Sequence, residues 1–217
     1  ELLDRPRILA RFQREAKIAA KLTHPNVVAI YEAEALEKSQ LLVMEYVSGV
    51  DLSQLIEQRG LLPVAESCEL IRQACLGLQH VHEQQLVHRD IKPANIFVST
   101  GGVVKILDLG LATLKSGEDQ DDQLTADKQF LGTVDFASPE QWESSRDVDI
   151  RSDIYSLGCT LYYLMAGQSP FPSSKYSTTM QKMWAHSQAP LPSIRELRPD
   201  VPDDIASIIE RMTAKNV

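Results

Sequence analysis

The residues whose types and spacing could do chemistry are concentrated in His88-Arg89-Asp90-Ile91-Lys92-Pro93-Ala94-Asn95 and in Asp108-Leu109-Gly110. Asn95 follows Asp90 by five residues and Asp108 follows it by eighteen. Phosphoryl transfer asks little covalent work of a protein. It needs charge neutralisation by Mg²⁺, a positioned γ-phosphate and an acceptor for the hydroxyl proton. Here Asp90 would orient the hydroxyl, Lys92 would lie near the transferred phosphate, and Asn95 with Asp108 would offer oxygen ligands to the metal. Ile96–Ser99 and Val103–Leu107 read as two short strands joined at Gly101-Gly102. That hairpin would return Asp108 to the side of Asn95.

Each residue also has a plain structural reading. Asp90 could cap a turn, and Lys92 could be a solvated cation. Asn95 could hold its own loop through bonds to the backbone. Asp153 could simply be the N-cap of a helix. A lone His-Arg-Asp is a weak signal. The ordered set is what carries weight.

That set resembles the eukaryotic-type (Hanks-type) Ser/Thr protein kinases also found in bacteria. Gly132-Thr133 and Ser138-Pro139-Glu140 resemble the end of a kinase activation segment, and Asp153-Ile154-Tyr155-Ser156-Leu157-Gly158 the buried helix anchoring the C-lobe. Glu45-Tyr46-Val47 resembles the adenine-binding hinge, with Met44 as gatekeeper, Asp51 as ribose contact and Phe97 as the pocket floor. Glu15 falls where the family places the helix-C Glu. His82 and Glu140 resemble residues that are structural in the family. The resemblance implies an α+β, bilobal protein kinase-like fold. A truncated N-lobe of helix C and two or three strands, with the hinge, would span residues 1–47. A mainly helical C-lobe, incomplete at its end, would span 48–217. Lys92 and Thr133 favour Ser/Thr over Tyr acceptors.

The chain departs from the family pattern at several points. No Gly-x-Gly-x-x-Gly occurs, and no Val-Ala-Ile-Lys type strand lysine. Lys17 is two residues from Glu15, so on a helix the two do not face each other. The expectation is therefore a domain cut at both ends, inactive as this fragment alone. Leu109 replaces the usual Phe, Ser138 an Ala and Phe136 a Tyr. Ala19 is small where a larger apolar residue usually packs. The rival reading is a pseudokinase or scaffold; intact Asp90, Asn95 and Asp108 argue against it. A small-molecule phosphotransferase of related fold would lack the Gly132–Glu140 segment.

Arg89, directly before Asp90, marks control by activation-loop phosphorylation in this family. A phosphate brings about −1.5 to −2 charge and three acceptor oxygens, enough to order a loop against a guanidinium. From Asp108 to Glu140 the chain has eight acids and two bases, so it reads as a solvated loop. Thr125 is the first candidate phosphosite, ahead of Thr113 and Ser116, and Thr133 reads as a substrate-side contact. The alternative is that Asp121 and Asp122 already satisfy Arg89.

The elements that must position these groups are legible in outline. Ile8, Phe12, Ala16, Ala19 and Leu22 recur at helical spacing and predict a helix over 8–22. Val27–Tyr31 and Leu41–Val47 read as strands around a polar turn at 37–40, and Ser48-Gly49 reads as a break. A short helix runs from Asp51 to about Gly60. A longer one covers 63–85 through Ala65, Leu70, Ala74, Leu78 and Val81. Helical patterning returns at 153–166 and at 203–213, with proline-punctuated chain between.

Composition sets the outer bounds. Of 217 residues, 43% are hydrophobic and 24% charged, which fits one soluble globular domain rather than a disordered chain. Twenty-two Lys and Arg against thirty Asp and Glu give a net charge of −8, which disfavours nucleic acid or an anionic membrane as partner. Cys68, Cys75 and Cys159 form no metal or disulfide pattern and fit a reducing compartment. No signal peptide is apparent, and the most apolar stretch, 154–166, is too short to span a bilayer. The implied partners are ATP, Mg²⁺ and proteins presenting Ser or Thr. Dimerisation through regions outside these residues stays open. The implied location is cytoplasmic, free or as the inner domain of a membrane-anchored receptor kinase.

Overall fold

Strand β1 (Ile30–Ala35) pairs antiparallel with β2 (Gln40–Met44), and β3 (Gly49–Asp51), β4 (Ile96–Ser99) and β5 (Val104–Ile106) form a separate antiparallel sheet in that order. The computed structural model describes residues 22–35, 40–107, 134–143 and 148–215. The helices are α1 (Leu52–Arg59), α2 (Val64–Glu83), α3 (Pro139–Glu143), α4 (Ile150–Ala166), α5 (Thr179–Gln188), α6 (Ile194–Leu197) and α7 (Asp203–Met212). Pro93–Asn95 form one 3₁₀ turn leading into β4. The predicted helix over 8–22 lies outside the described residues except for Leu22, which is buried and not helical.

Helix α2 forms because Ser67, Leu70, Ile71, Ala74, Leu78 and Val81 recur at three- and four-residue spacing and bury one face. Ala65, expected on that face, is exposed. Its partner α4 is buried nearly all round, from Tyr155 through Tyr162. Leu70, Ala74, Leu78, Leu157, Leu161 and Ile209 of α2, α4 and α7 share one core. Gly158 permits this. A β-carbon there would lie 2.7 Å from Met212 Cβ and 2.9 Å from Thr213 Cγ2, so any side chain would push α4 and α7 apart.

Three sequence expectations shift. Strand β1 begins at Ile30 rather than Val27, because Val27 instead makes a lone parallel bridge to Ile106. Around it, Val28 N–H donates to Ile106 C=O (2.9 Å) and Ile106 N–H to Asn26 C=O (3.0 Å), so residues 26–28 run alongside β5 instead of extending β1. Strand β2 ends at Met44, not Val47. Gly49 does not break the chain. It opens β3, where a β-carbon would fall on the Val98 carbonyl of β4, so only glycine lets the two backbones approach.

Candidate active site

Asp90, Lys92 and Asn95 converge on one carboxylate. The Lys92 ammonium is 3.0 Å from Asp90 Oδ1 and 2.9 Å from Oδ2. Asn95 Nδ2 donates to Asp90 Oδ2 at 2.9 Å and to the Asp90 carbonyl at 2.8 Å. Both amide protons of Asn95 are thus used inward, which leaves its Oδ1 as the free oxygen donor. A hard cation takes such an oxygen, so the Asn95 side fits Mg²⁺. Among the described residues no three His, Cys, Asp or Glu side chains cluster as a metal site.

The loop is held from beneath by Asp153, 1% exposed. Its Oδ2 accepts from His88 N–H and Oδ1 from Arg89 N–H, both at 2.8 Å, and His82 Nε2 lies 2.8 Å from Oδ2. Asp153 is not the N-cap of α4. That is Asp149, whose carboxylate accepts from Arg151 N–H. Arg89 has φ 66°, a left-handed conformation that a bulky side chain adopts only when its neighbours fix it. Its N–H goes to Asp153, and its carbonyl accepts from Gln141 Nε2 at 2.7 Å.

His88 is fully buried and ties the loop to the end of β5. Its Nε2 is 2.6 Å from the Leu107 carbonyl, which can only accept, so Nε2 carries the proton. Nδ1 is then free to accept from Asp90 N–H at 3.3 Å. Leu107 N–H also donates to the Asn95 carbonyl at 2.9 Å. The residue before Asp108 is therefore fixed to both His88 and Asn95.

A row of residues crosses the three-stranded sheet: Asp51 opposite Phe97, and Phe97 opposite Lys105. Asp51 is the N-cap of α1, its Oδ1 accepting from Ser53 N–H (2.9 Å) and Gln54 N–H (3.0 Å). Lys105 Nζ reaches Glu45 at 2.7 Å. That hydrogen bond holds the Glu45 carboxyl below the usual carboxylate range. Glu45 N–H donates to the Ala29 carbonyl at 2.8 Å, and its carboxylate accepts from Ala29 N–H at 3.2 Å. Among the described residues neither the Glu45 carbonyl nor the Val47 N–H has a backbone partner. A planar ligand with one donor and one acceptor could use that pair. Met44 is exposed beside it.

A family model described as "Protein kinase domain" matches residues 4–217. The chain belongs to the protein kinase family. Among curated relatives, a probable serine/threonine-protein kinase PknB of Lactococcus lactis is 37% identical over 209 residues, covering 96% of this chain and 32% of that one. The serine/threonine-protein kinase PrkC of Bacillus subtilis is also 37% identical, over 96% of this chain and 31% of its own length. The chain thus spans about a third of the curated relatives it matches. The crystal structure of the Mycobacterium tuberculosis PknI kinase domain superposes with a TM-score of 0.71 at 26% identity, covering 99% of this chain and 74% of that one. The expected fold, α+β and protein kinase-like, is the fold observed.

Within this domain the structure brings together Asp90, Lys92 and Asn95, and places Glu45, Val47, Met44, Asp51 and Phe97 separately, in the three-stranded sheet and the chain leading into it. Glu15, Asp108, Thr125 and Thr133 lie outside the described residues. Reasoning from the sequence missed Lys105 and Gln141, and it gave Asp153 an N-cap role as its alternative. Lys105 had one available signal, alternation in β5 that sends it to the face opposite Val104 and Ile106. Gln141 had none.

Proposed function

We propose that the protein is an ATP-dependent serine/threonine protein kinase that transfers the γ-phosphate to Ser or Thr hydroxyls of proteins. The observation that carries this reading is the Asp90 carboxylate, held by Lys92 and Asn95 and set on a loop pinned by Asp153. Asp90 orients the acceptor hydroxyl and takes its proton. Lys92, already beside Asp90, steadies the phosphate as it arrives. Asn95 Oδ1 and Asp108 hold Mg²⁺, which when bound neutralises phosphate charge. The Glu45 carbonyl and Val47 N–H receive adenine between Met44 and Phe97, Asp51 meets the ribose, and Glu15 orients the nucleotide phosphates through a lysine partner. On this reading the domain works in the cytoplasm, where ATP is available, with protein substrates as partners. Among the described residues no helix is long and apolar enough to cross a membrane.

The test is incubation of γ-labelled ATP, Mg²⁺ and a peptide library with a protein that joins residues 1–217 to a glycine-rich loop and strand lysine, the two parts the sequence expectation requires for activity. Label is expected on Ser and Thr and absent from Tyr. Label on Tyr alone would overturn the Ser/Thr assignment, and nucleotide binding without any transfer would favour the scaffold reading.

Regulation by phosphorylation is part of the same proposal. Among the described residues the Arg89 guanidinium makes no hydrogen bond or ion pair, although its backbone is fixed at both ends. A phosphate on Thr125 would supply the partner. Thr125→Ala should lower activity after autophosphorylation, and mass spectrometry should find phosphate at Thr125 in the unaltered protein. Full activity in the variant, with no phosphate at that site, would refute the assignment.

A further inference from the structure

Helix α5 is inside out. Its buried residues are Lys182, Ala185 and His186, while Met180 (78% exposed) and Trp184 (59% exposed) face outward. Lys182 is only 1% exposed, and its ammonium is ion-paired with Asp135. Burying an ammonium is costly unless a partner meets it, and apolar contact would have packed this face without that cost. An ion pair, unlike an apolar contact, has a direction, and it fixes one register between α5 and the chain at Asp135.

Asp135 lies in the segment Val134–Ser138, which is anchored on two further sides. Phe136 packs edge-on against Tyr163, with ring centroids 5.9 Å apart, and against Tyr155 and Cys159. Ser138 Oγ is 2.7 Å from Ser152 Oγ of α4. Gln141, one turn on, holds the Arg89 carbonyl beside Asp90. An acceptor hydroxyl has to reach Asp90, so a peptide carrying it passes the chain that Gln141 ties to Arg89. Phe136 and Ser138 are held by α4, which also carries Asp153. Only Asp135 is held from α5.

We propose that Lys182 is a positioning residue for the protein substrate, locking residues 134–138 beside Asp90 through Asp135. His186, four residues along α5, is buried on the same side of the helix. Its Nδ1 accepts from the Tyr155 hydroxyl at 2.9 Å, and that hydroxyl in turn accepts from Lys215 at 2.6 Å. Among the described residues His186 Nε2 has no hydrogen-bond partner.

The inference rests on the kinase reading, and the experiment separates the two. Lys182→Met keeps the aliphatic stem and removes the charge. It should raise the KM for a Ser/Thr peptide by about tenfold or more, because small displacements of a docking element weaken productive binding. The KM for ATP should stay within about twofold, since nothing at the hinge changes. Backbone amides of 134–138 should exchange hydrogen faster in the variant. Asp135→Asn should reproduce the effect, and Asp135→Asn with Lys182→Met should be no worse than either alone, because the pair is one interaction. Should Lys182→Met fail to fold, the double variant, which strands no charge, carries the same comparison. An unchanged peptide KM, or fold-changes that multiply in the double variant, would overturn the proposal while leaving the kinase reading intact. If the otherwise unaltered protein, joined to a glycine-rich loop and strand lysine, phosphorylates no Ser/Thr peptide, the kinase reading is what fails. Exchange at 134–138 then still decides whether Lys182 locks that segment.

Discussion

Asp90→Asn should abolish turnover while leaving nucleotide affinity almost unchanged. The carboxylate is isosteric with the amide, so the loop keeps its shape, but the chemistry and the local hydrogen bonding both change. An amide cannot take the hydroxyl proton, and loss of a general base typically costs about 10²- to 10⁴-fold in rate. The amide also has one donor end. In the present geometry each Asp90 oxygen faces a donor, Lys92 Nζ at Oδ1 and Asn95 Nδ2 at Oδ2. Whichever way the new amide turned, its NH₂ would oppose one of them. Lys92 would no longer face a negative charge at residue 90, which does not weaken its attraction to phosphate, so ATP affinity should hold or rise slightly. Asp108→Ala gives the contrasting result. It removes the proposed metal ligand and should weaken Mg²⁺-ATP binding along with turnover. The measurement is nucleotide titration of each variant with and without Mg²⁺, next to peptide phosphorylation. Equal loss of ATP affinity in both variants would show that the two roles are wrongly divided.

What the sequence made legible was local. Asp90, Lys92 and Asn95 lie within six residues, and a short loop closed by a 3₁₀ turn leaves them few ways to arrange themselves. The same holds for α2 and α4, where apolar residues recur over several turns. Partners far apart in the chain left no such trace. Asp153 meets His88 and Arg89 from 65 and 64 residues away, Gln141 meets Arg89 across 52, and Lys105 meets Glu45 across 60. Those contacts depend on how α4, α3 and β5 are assembled. Helix α5 was hidden for a different reason. Its buried positions hold Lys182 and His186, so the stripe that betrays a helix is written in polar residues. Strand β3 was hidden because Gly49, an ordinary breaker, is what admits it to the sheet.

Asp153→Ala should cost more stability than any other change in the loop's support and should lower activity even where the protein remains folded. The side chain is buried and accepts from two main-chain amides and His82. Truncation strands the His88 and Arg89 N–H groups in the buried site beneath the loop. Each unsatisfied buried donor costs about 1–3 kcal/mol, so the pair costs about 2–6 kcal/mol. For a domain of this size that lowers Tm by at least about 4 °C. Asp153→Asn tests the same point without a cavity. Its one oxygen can serve one amide, but its NH₂ then faces the other N–H, so it should be nearly as harmful as Ala. The effect on activity follows from Arg89. Its left-handed conformation costs on the order of 1–3 kcal/mol when nothing fixes it, and Asp153 holds its N–H while Gln141 holds its carbonyl. Freed at one end, Arg89 relaxes toward ordinary helical or extended backbone and turns Asp90 away from Lys92 and Asn95. Turnover measured at least about 15 °C below the variant's own Tm, where the folded fraction is near one, should still fall by about tenfold or more. Full turnover under those conditions would mean that Asp153 supports the fold alone and that Gln141 and the Asp90 contacts suffice to hold the loop.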